Sequence, residues 1–183
     1  MRIIAGKWGG RQLEMPPQNI TRPTTDRVRE ALFSMLISRI GSFDGLYVYD
    51  AFAGSGALGL ESLSRGAKHV TFAEKDQSAR RILQNNVAKL KCEGQVSIEI
   101  DAFKISKAEQ PFDLVFMDPP YGKGLESELG SSLAQKNLIS KETLIVIESQ
   151  ADAALLTIEK ANCLDFRTYG NCALSFFKLD VFG

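Results

Sequence analysis

Histidine and cysteine are both scarce in this chain, which removes the commonest metal sites. His69 stands alone, and the three cysteines, Cys92, Cys163 and Cys172, are scattered without a Cys-x-x-Cys spacing among 183 residues. Neither a zinc cluster nor a disulfide framework can be drawn from that set, so no metal is expected and a reducing, cytoplasmic setting suits it. His69 reads as a surface residue just ahead of a strand. Long apolar runs are missing too: the longest, such as 144–147, have the length of a buried strand and fall far short of a bilayer span. Residues 1–6 carry one basic residue and no apolar core, unlike a signal peptide. No membrane attachment is therefore expected. Net charge is absent as well, with 22 basic against 22 acidic residues, which is unlike a typical nucleic-acid binder.

What is present is unevenly placed. Residues 1–30 hold Arg2, Lys7, Arg11, Arg22, Arg27 and Arg29 against only Glu14, Asp26 and Glu30. A polyanion would meet this end, with a plain solvated basic face as the equal alternative. The stretch 3–13 reads as two short strands broken at Gly9-Gly10, a hairpin signal, and Met15-Pro16-Pro17 reads as a connector. Val28, Ala31, Leu32, Met35 and Leu36 then share one face at helical spacing. Thr24 or Thr25 is the expected N-cap, Asp26 suits the positive end of the helix dipole, and Gly41 is the stop.

From there strands predicted at 46–50, 70–74, 96–100, 112–117 and 143–148 alternate with helices at 57–65, 77–91 and 125–136. Such alternation implies right-handed βαβ units and a mostly parallel sheet. The tail, 164–169 and 173–179 joined at Gly170-Asn171, breaks the pattern and predicts an antiparallel edge strand. With no repeat or long linker, one α/β domain over 1–183 is expected, its extension over 1–40 leading into a core over 41–183.

The first core strand runs into Asp50-Ala51-Phe52-Ala53-Gly54-Ser55-Gly56-Ala57-Leu58-Gly59. Glycines there let the backbone turn sharply and approach a ligand closely, in the crevice where open α/β sheets bind ligands. Taken alone, Gly54-x-Gly56-x-x-Gly59 with Glu74 twenty residues on also satisfies the dinucleotide fingerprint, so a nicotinamide-dependent oxidoreductase competes on this motif. Asp50, Glu74 and Asp101, however, fall at the ends of three consecutive predicted strands. S-adenosylmethionine offers a sulfonium, an amino group, ribose hydroxyls and an adenine amine, all cationic or hydrogen-bond donors. A ring of carboxylates suits them, whereas pyrophosphate would be repelled by Asp50.

The fourth predicted strand ends in Asp118-Pro119-Pro120-Tyr121. Two prolines cannot continue a central strand; they fix φ and remove two N–H donors. What remains is a rigid display of acceptors, the Asp118 carboxylate and backbone carbonyls, beside a flat tyrosine ring. That suits a planar base with an exocyclic amine: the ring stacks on the base for ~1–3 kcal/mol, and the acceptors hold the amine's two N–H bonds. The tetrapeptide by itself does not choose among DNA, RNA and protein as the bearer of that amine.

With these segments in view, the chain resembles the bacterial 16S ribosomal RNA guanine-N2 methyltransferases of the RsmD type. The resemblance is carried by 3–11, by Arg22-Pro23-Thr24-Thr25-Asp26-Arg27-Val28-Arg29-Glu30-Ala31-Leu32-Phe33, by 50–60 and by 118–121. It implies a Rossmann-like, seven-stranded class I methyltransferase sheet with the last strand inserted antiparallel. It implies S-adenosylmethionine as cofactor, S-adenosylhomocysteine as product, and one guanine of 16S ribosomal RNA as substrate, met by a monomer within a small-subunit assembly particle.

By position, Gly54 and Gly56, flanked by Asp50 and Phe52, would line the methionine moiety. Glu74, followed by Lys75, would hold the ribose, and Asp101 with Ala102 and Phe103 would border the adenine. Asp118, Pro119, Pro120 and Tyr121 would hold the guanine. Lys7, Arg11, Arg22, Thr25, Arg27 and Arg29 would touch RNA. A DNA or protein amino-methyltransferase is the nearest alternative, weakened by the lack of a target-recognition domain. An oxidoreductase is weakened by the lack of an evident acid or base for hydride chemistry.

Overall fold

The computed structural model describes residues 1–16, 25–119, 124–151, 158 and 160–180. Seven strands form one sheet: β1 (Tyr47–Asp50), β2 (His69–Ala73), β3 (Val96–Glu99), β4 (Phe112–Met117), β5 (Ile139–Gln150), β6 (Ala161–Tyr169) and β7 (Cys172–Leu179). Their order is β3-β2-β1-β4-β5-β7-β6. The pairs among β1 to β5 are all parallel, while β7 runs antiparallel to both neighbours. The antiparallel strand predicted at the edge is therefore interior. β6 takes the edge, and most of its residues are exposed.

Four helices cover the sheet: α1 (Asp26–Ile40), α2 (Ala57–Ser64), α3 (Gln77–Leu90) and α4 (Leu125–Gln135). Strand alternation divides the apolar residues between two cores. Val48, Val70, Phe72, Leu114, Phe116, Val146 and Phe176 face α1, α2 and α3 through Leu32, Phe33, Leu36, Leu60, Leu63, Leu83 and Val87. Tyr49, Val115, Met117, Ile145, Ile147 and Phe177 face the other way, onto Leu129 and Leu133 of α4 and onto Ala102 and Ile105. No described helix is long and apolar enough to cross a membrane.

Local chemistry explains the helix limits. The Thr25 hydroxyl caps α1 by accepting the Val28 N–H at 3.3 Å, and Gly41 ends it at φ 78°, donating its N–H to the Ile37 carbonyl. The Asp76 carboxylate caps α3 at the Ala79 N–H, 2.8 Å away. β5 begins earlier than the sequence suggests because its register slips: Phe112 pairs with Ile139, but Leu114 pairs with Leu144. The Thr143 hydroxyl closes the slip, donating to the Phe112 carbonyl at 2.6 Å and accepting the Ser140 N–H at 2.8 Å. Alternating hydrophobicity cannot reveal such a side-chain clasp.

The predicted N-terminal hairpin is only partly a β structure. Ile3 exchanges backbone bonds with Arg11 and Gly10, and Leu13 donates to Met1, but Arg2 and Gln12 form a single isolated bridge. Gly6–Trp8 is a short 3-10 turn in place of the first strand's end. Side chains of α2 impose this shape. The fully buried Glu61 carboxylate accepts the N–H groups of Ile4 and Ala5 at 2.7 and 3.0 Å, along with the Arg65 guanidinium at 2.8 Å. The Ser64 hydroxyl accepts the Trp8 N–H at 3.0 Å and donates to the Ala5 carbonyl at 2.5 Å. Trp8, Ile3 and Leu13 then seal against the α2 and α3 side of the core.

Glu61→Ala strands two backbone donors and a partly buried guanidinium, which costs about 3 kcal/mol. Chemical denaturation should show that loss, and limited proteolysis should cut first within residues 1–13. An unchanged denaturation midpoint would mean that water replaces the carboxylate.

Candidate active site

The strand ends that carry functional side chains gather at one edge of the sheet. β1 leaves the sheet at Asp50 and turns through Gly54-Ser55-Gly56 into α2. Gly56 has φ 81°, and a Cβ built there would lie 2.3 Å from Leu83 Cδ1, so both the backbone and the packing demand glycine. Gly54 also has positive φ, but a Cβ there would meet nothing within 4 Å; it borders open crevice. Gly59 lies against Phe72, where a Cβ would come within 2.2 Å of the ring. The turn thus packs hard against α3 and β2 on one side and leaves space on the other, as a ligand cradle must.

The expected carboxylates behave differently from one another. Asp50 is buried and accepts the Gly59 N–H at 3.0 Å, so it braces the start of α2 instead of lining the crevice wall. Burial pushes its carboxyl up to about 7, partly offset by that hydrogen bond and reinforced by the charge of Glu74. Glu74 is half-buried just past β2. One oxygen accepts the Gly54 N–H at 2.7 Å and the other the Asp76 N–H at 2.7 Å, which anchors the glycine turn to the neighbouring strand. Asp101, two residues beyond β3, accepts the Phe103 N–H at 3.0 Å. Phe103 stays half-exposed beside the crevice, while Ala102 is buried and its carbonyl accepts the Tyr49 hydroxyl at 2.9 Å. Lys75 is exposed and its carbonyl accepts the Arg80 guanidinium at 3.2 Å. Phe52 is half-buried and packs toward the α4 side of the sheet.

Asp118 follows β4 directly, one residue past the Met117–Ile147 pair, which brings it beside Glu148 at the end of β5. Asp118 is exposed as a residue and Pro119 is buried; Pro120 and Tyr121 lie outside the described residues. Packing around the Asp118 carboxyl, then the charges of Glu148 and Asp50, raise it above the usual carboxylate range. Because the residue remains open to solvent, water screens much of this. Glu148 is buried at 8% exposure, and burial together with its charge also pushes the Cys172 thiol up to about 12. Asp50, Asp118 and Glu148 therefore share the α1 face at the ends of three adjacent strands. Sequence reasoning passed over Glu148, although it ends the predicted fifth strand and the reasoning applied to Asp50, Glu74 and Asp101 would have found it.

The basic residues of the extension separate into two groups. Arg29 is a correction: it is fully enclosed, donating to the Arg2 carbonyl at 2.5 Å and to Asp26 at 2.9 Å, and cannot reach RNA. Its length and charge are used to pin the first residues onto α1. Arg11 and Arg27 are exposed, as is Lys7, whose ammonium sits 4.2 Å from the Trp8 ring centre and donates to Gln95 at 3.0 Å. Thr25 is exposed but its oxygen caps α1. Arg22 lies outside the described residues.

A parallel sheet with an interior antiparallel seventh strand, a glycine turn after β1 and acids at successive strand ends define a Rossmann-like methyltransferase of class I. The comparisons agree. A family model described as conserved hypothetical protein 95 matches residues 1–178, and the chain belongs to that family. A Haemophilus influenzae protein named ribosomal RNA small subunit methyltransferase D is 39% identical over 175 residues, 93% of this chain and 89% of that protein. Its Escherichia coli K12 namesake is 40% identical over 159 residues, covering 86% of this chain and 79% of the relative. A solved Escherichia coli methyltransferase-fold structure superposes with a TM-score of 0.84 at 34% identity over 98% of both chains.

Between the ordinary aspartate value of 3.8 and about 7, folded Asp50 keeps a proton that the unfolded chain gives up. Its contribution to stability therefore falls as pH rises through that window. Asp50→Asn, which keeps an oxygen for the Gly59 N–H, should gain thermal stability relative to the parent across that window and hold the gain above it. A difference that is flat with pH would show that Asp50 is already ionised in the folded protein.

Proposed function

We propose that this chain transfers a methyl group from S-adenosylmethionine to the exocyclic N2 amine of one guanine in 16S ribosomal RNA. The observation that carries the reading is Asp118-Pro119 at the end of β4, next to the end of β1 that leads into the glycine turn and on the same side of the sheet as Asp50. The names of the curated relatives support small-subunit ribosomal RNA as the substrate class.

The residues present fit the cofactor. Gly54 leaves room for the methionine portion, the second lone pair on each Glu74 oxygen is left for the ribose hydroxyls beside the bonds to the Gly54 and Asp76 N–H groups, and Asp101 with Phe103 borders the adenine position. S-adenosylmethionine supplies an electrophilic sulfonium methyl when bound. An aromatic amine is a weak nucleophile because its lone pair is delocalised into the ring. Asp118 and the Pro119 carbonyl accept its two N–H bonds, favour a pyramidal nitrogen and direct the lone pair toward the methyl. The advantage is positional and electrostatic. After transfer the nitrogen is acidic and releases its proton to Asp118 or water. The guanine-holding roles of Pro120 and Tyr121, which lie outside the described residues, rest on the family resemblance alone. Arg11, Arg27, Lys7 and Arg22 hold phosphates, and the neutral overall charge fits a substrate presented partly by protein in an assembling small subunit. The enzyme acts as a cytoplasmic monomer.

Labelled S-adenosylmethionine and undermethylated small subunits test this. Transfer should go to a single guanine N2; no transfer, or transfer to another base, overturns it. Asp118→Ala should lower turnover by roughly 100-fold or more while calorimetric binding of S-adenosylhomocysteine survives. Turnover of the parent should fall on acidification with a midpoint above that of an ordinary carboxylate, since Asp118 accepts only when ionised.

A further inference from the structure

Asn86 lies on α3, one turn after Leu83, and both are fully buried. Leu83 packs on Gly56. Asn86 makes three hydrogen bonds that join distant segments. Its Oδ1 accepts the Glu14 N–H at 2.8 Å. Its Nδ2 donates to the Glu14 carbonyl at 3.0 Å and to the Ser55 carbonyl at 3.0 Å. The amide therefore reads the backbone of the extension as another strand would, and spends its remaining proton on the middle residue of the glycine turn. Both amide protons are used. No other side-chain type of this size offers one acceptor and two donors in that planar arrangement.

We infer that Asn86 is a positioning residue that couples the cofactor turn to the N-terminal extension. Glu14 stands two residues before Pro16, on the stretch of sequence that carries Arg22 and leads to Thr25, the N-cap of α1. Cofactor seated against the turn orders Ser55 further and, through the one amide, Glu14, and RNA held by the extension acts back on Ser55 by the same route. Cofactor and RNA therefore bind cooperatively, and linkage makes the factor equal in both directions. The inference rests on the proposed RNA reading. The surface contact of Asn85 with the Glu14 carboxylate, 3.0 Å long, is a convenient control, because it touches the extension without reaching the turn.

The coupling is measured by titrating S-adenosylhomocysteine into the protein with and without a small-subunit ribosomal RNA fragment. The parent should bind it about 5-fold tighter or more when RNA is present. Asn86→Asp keeps the acceptor for the Glu14 N–H but replaces both donors with an anionic oxygen facing two carbonyls, so its factor should fall close to one. Asn85→Ala should retain the parent's factor. A folded Asn86→Asp protein with the full factor, or a parent with none, overturns the inference.

Hydrogen exchange on the parent gives a second measurement that does not depend on a variant folding. Addition of S-adenosylhomocysteine alone should slow exchange of the Glu14 amide, and no change there overturns the coupling. A parent that binds S-adenosylhomocysteine but no ribosomal RNA instead overturns the functional reading itself, and the coupling to RNA with it.

Discussion

The Gly54-Ser55-Gly56 turn is held from three sides by groups far from it in sequence. Glu74 grips the Gly54 N–H from β2, Asn86 grips the Ser55 carbonyl from α3, and Leu83 fills the space that a Gly56 side chain would need. Just beyond, Asp50 takes the Gly59 N–H and fixes where α2 begins. Without these anchors, two residues with positive φ would be a mobile hinge. With them, the turn is a rigid wall against which a cofactor can be placed to within the tolerance that methyl transfer needs.

That arrangement also assigns the acids separate tasks. Carboxylates at strand ends look equivalent in the sequence, yet Asp50 is enclosed, Glu74 bridges turn and strand, and Asp118 stands open to solvent. Their protonation follows from burial: the enclosed Asp50 carboxyl favours its neutral form, and Asp118 is shifted the same way by packing and by two neighbouring negative charges. Insertion of β7 beside β5 contributes to this, because Leu174 pairs with Glu148 and the Glu148 side chain is buried there.

The extension is bound to the core by polar side chains as well as by the buried Ile3, Trp8 and Leu13. Glu61, Ser64, Asn86 and Arg29 each spend side-chain groups on the backbone of residues 1–14. Directional bonds of this kind set one position and orientation, which apolar packing alone does not. The basic residues divide accordingly: the Arg29 guanidinium is enclosed and bonded within the chain, while Arg11 and Arg27 are exposed.

Local signals carried much of the architecture. Alternating periodicity placed β1 to β4 and all four helices within a residue or two, and the Gly54–Gly59 spacing with the Asp118-Pro119 break located the crevice, because both are backbone constraints written in neighbouring residues. Thr25 and Gly41 likewise announce the ends of α1. The inserted antiparallel β7 followed from the family resemblance, whereas tertiary structure alone decided that β5 slips its register at Thr143, that Arg29 is enclosed, and that Asn86 joins Glu14 to Ser55. Each of these depends on partners tens of residues away, and a charge or an amide has the same letter whether it faces solvent or another segment's backbone.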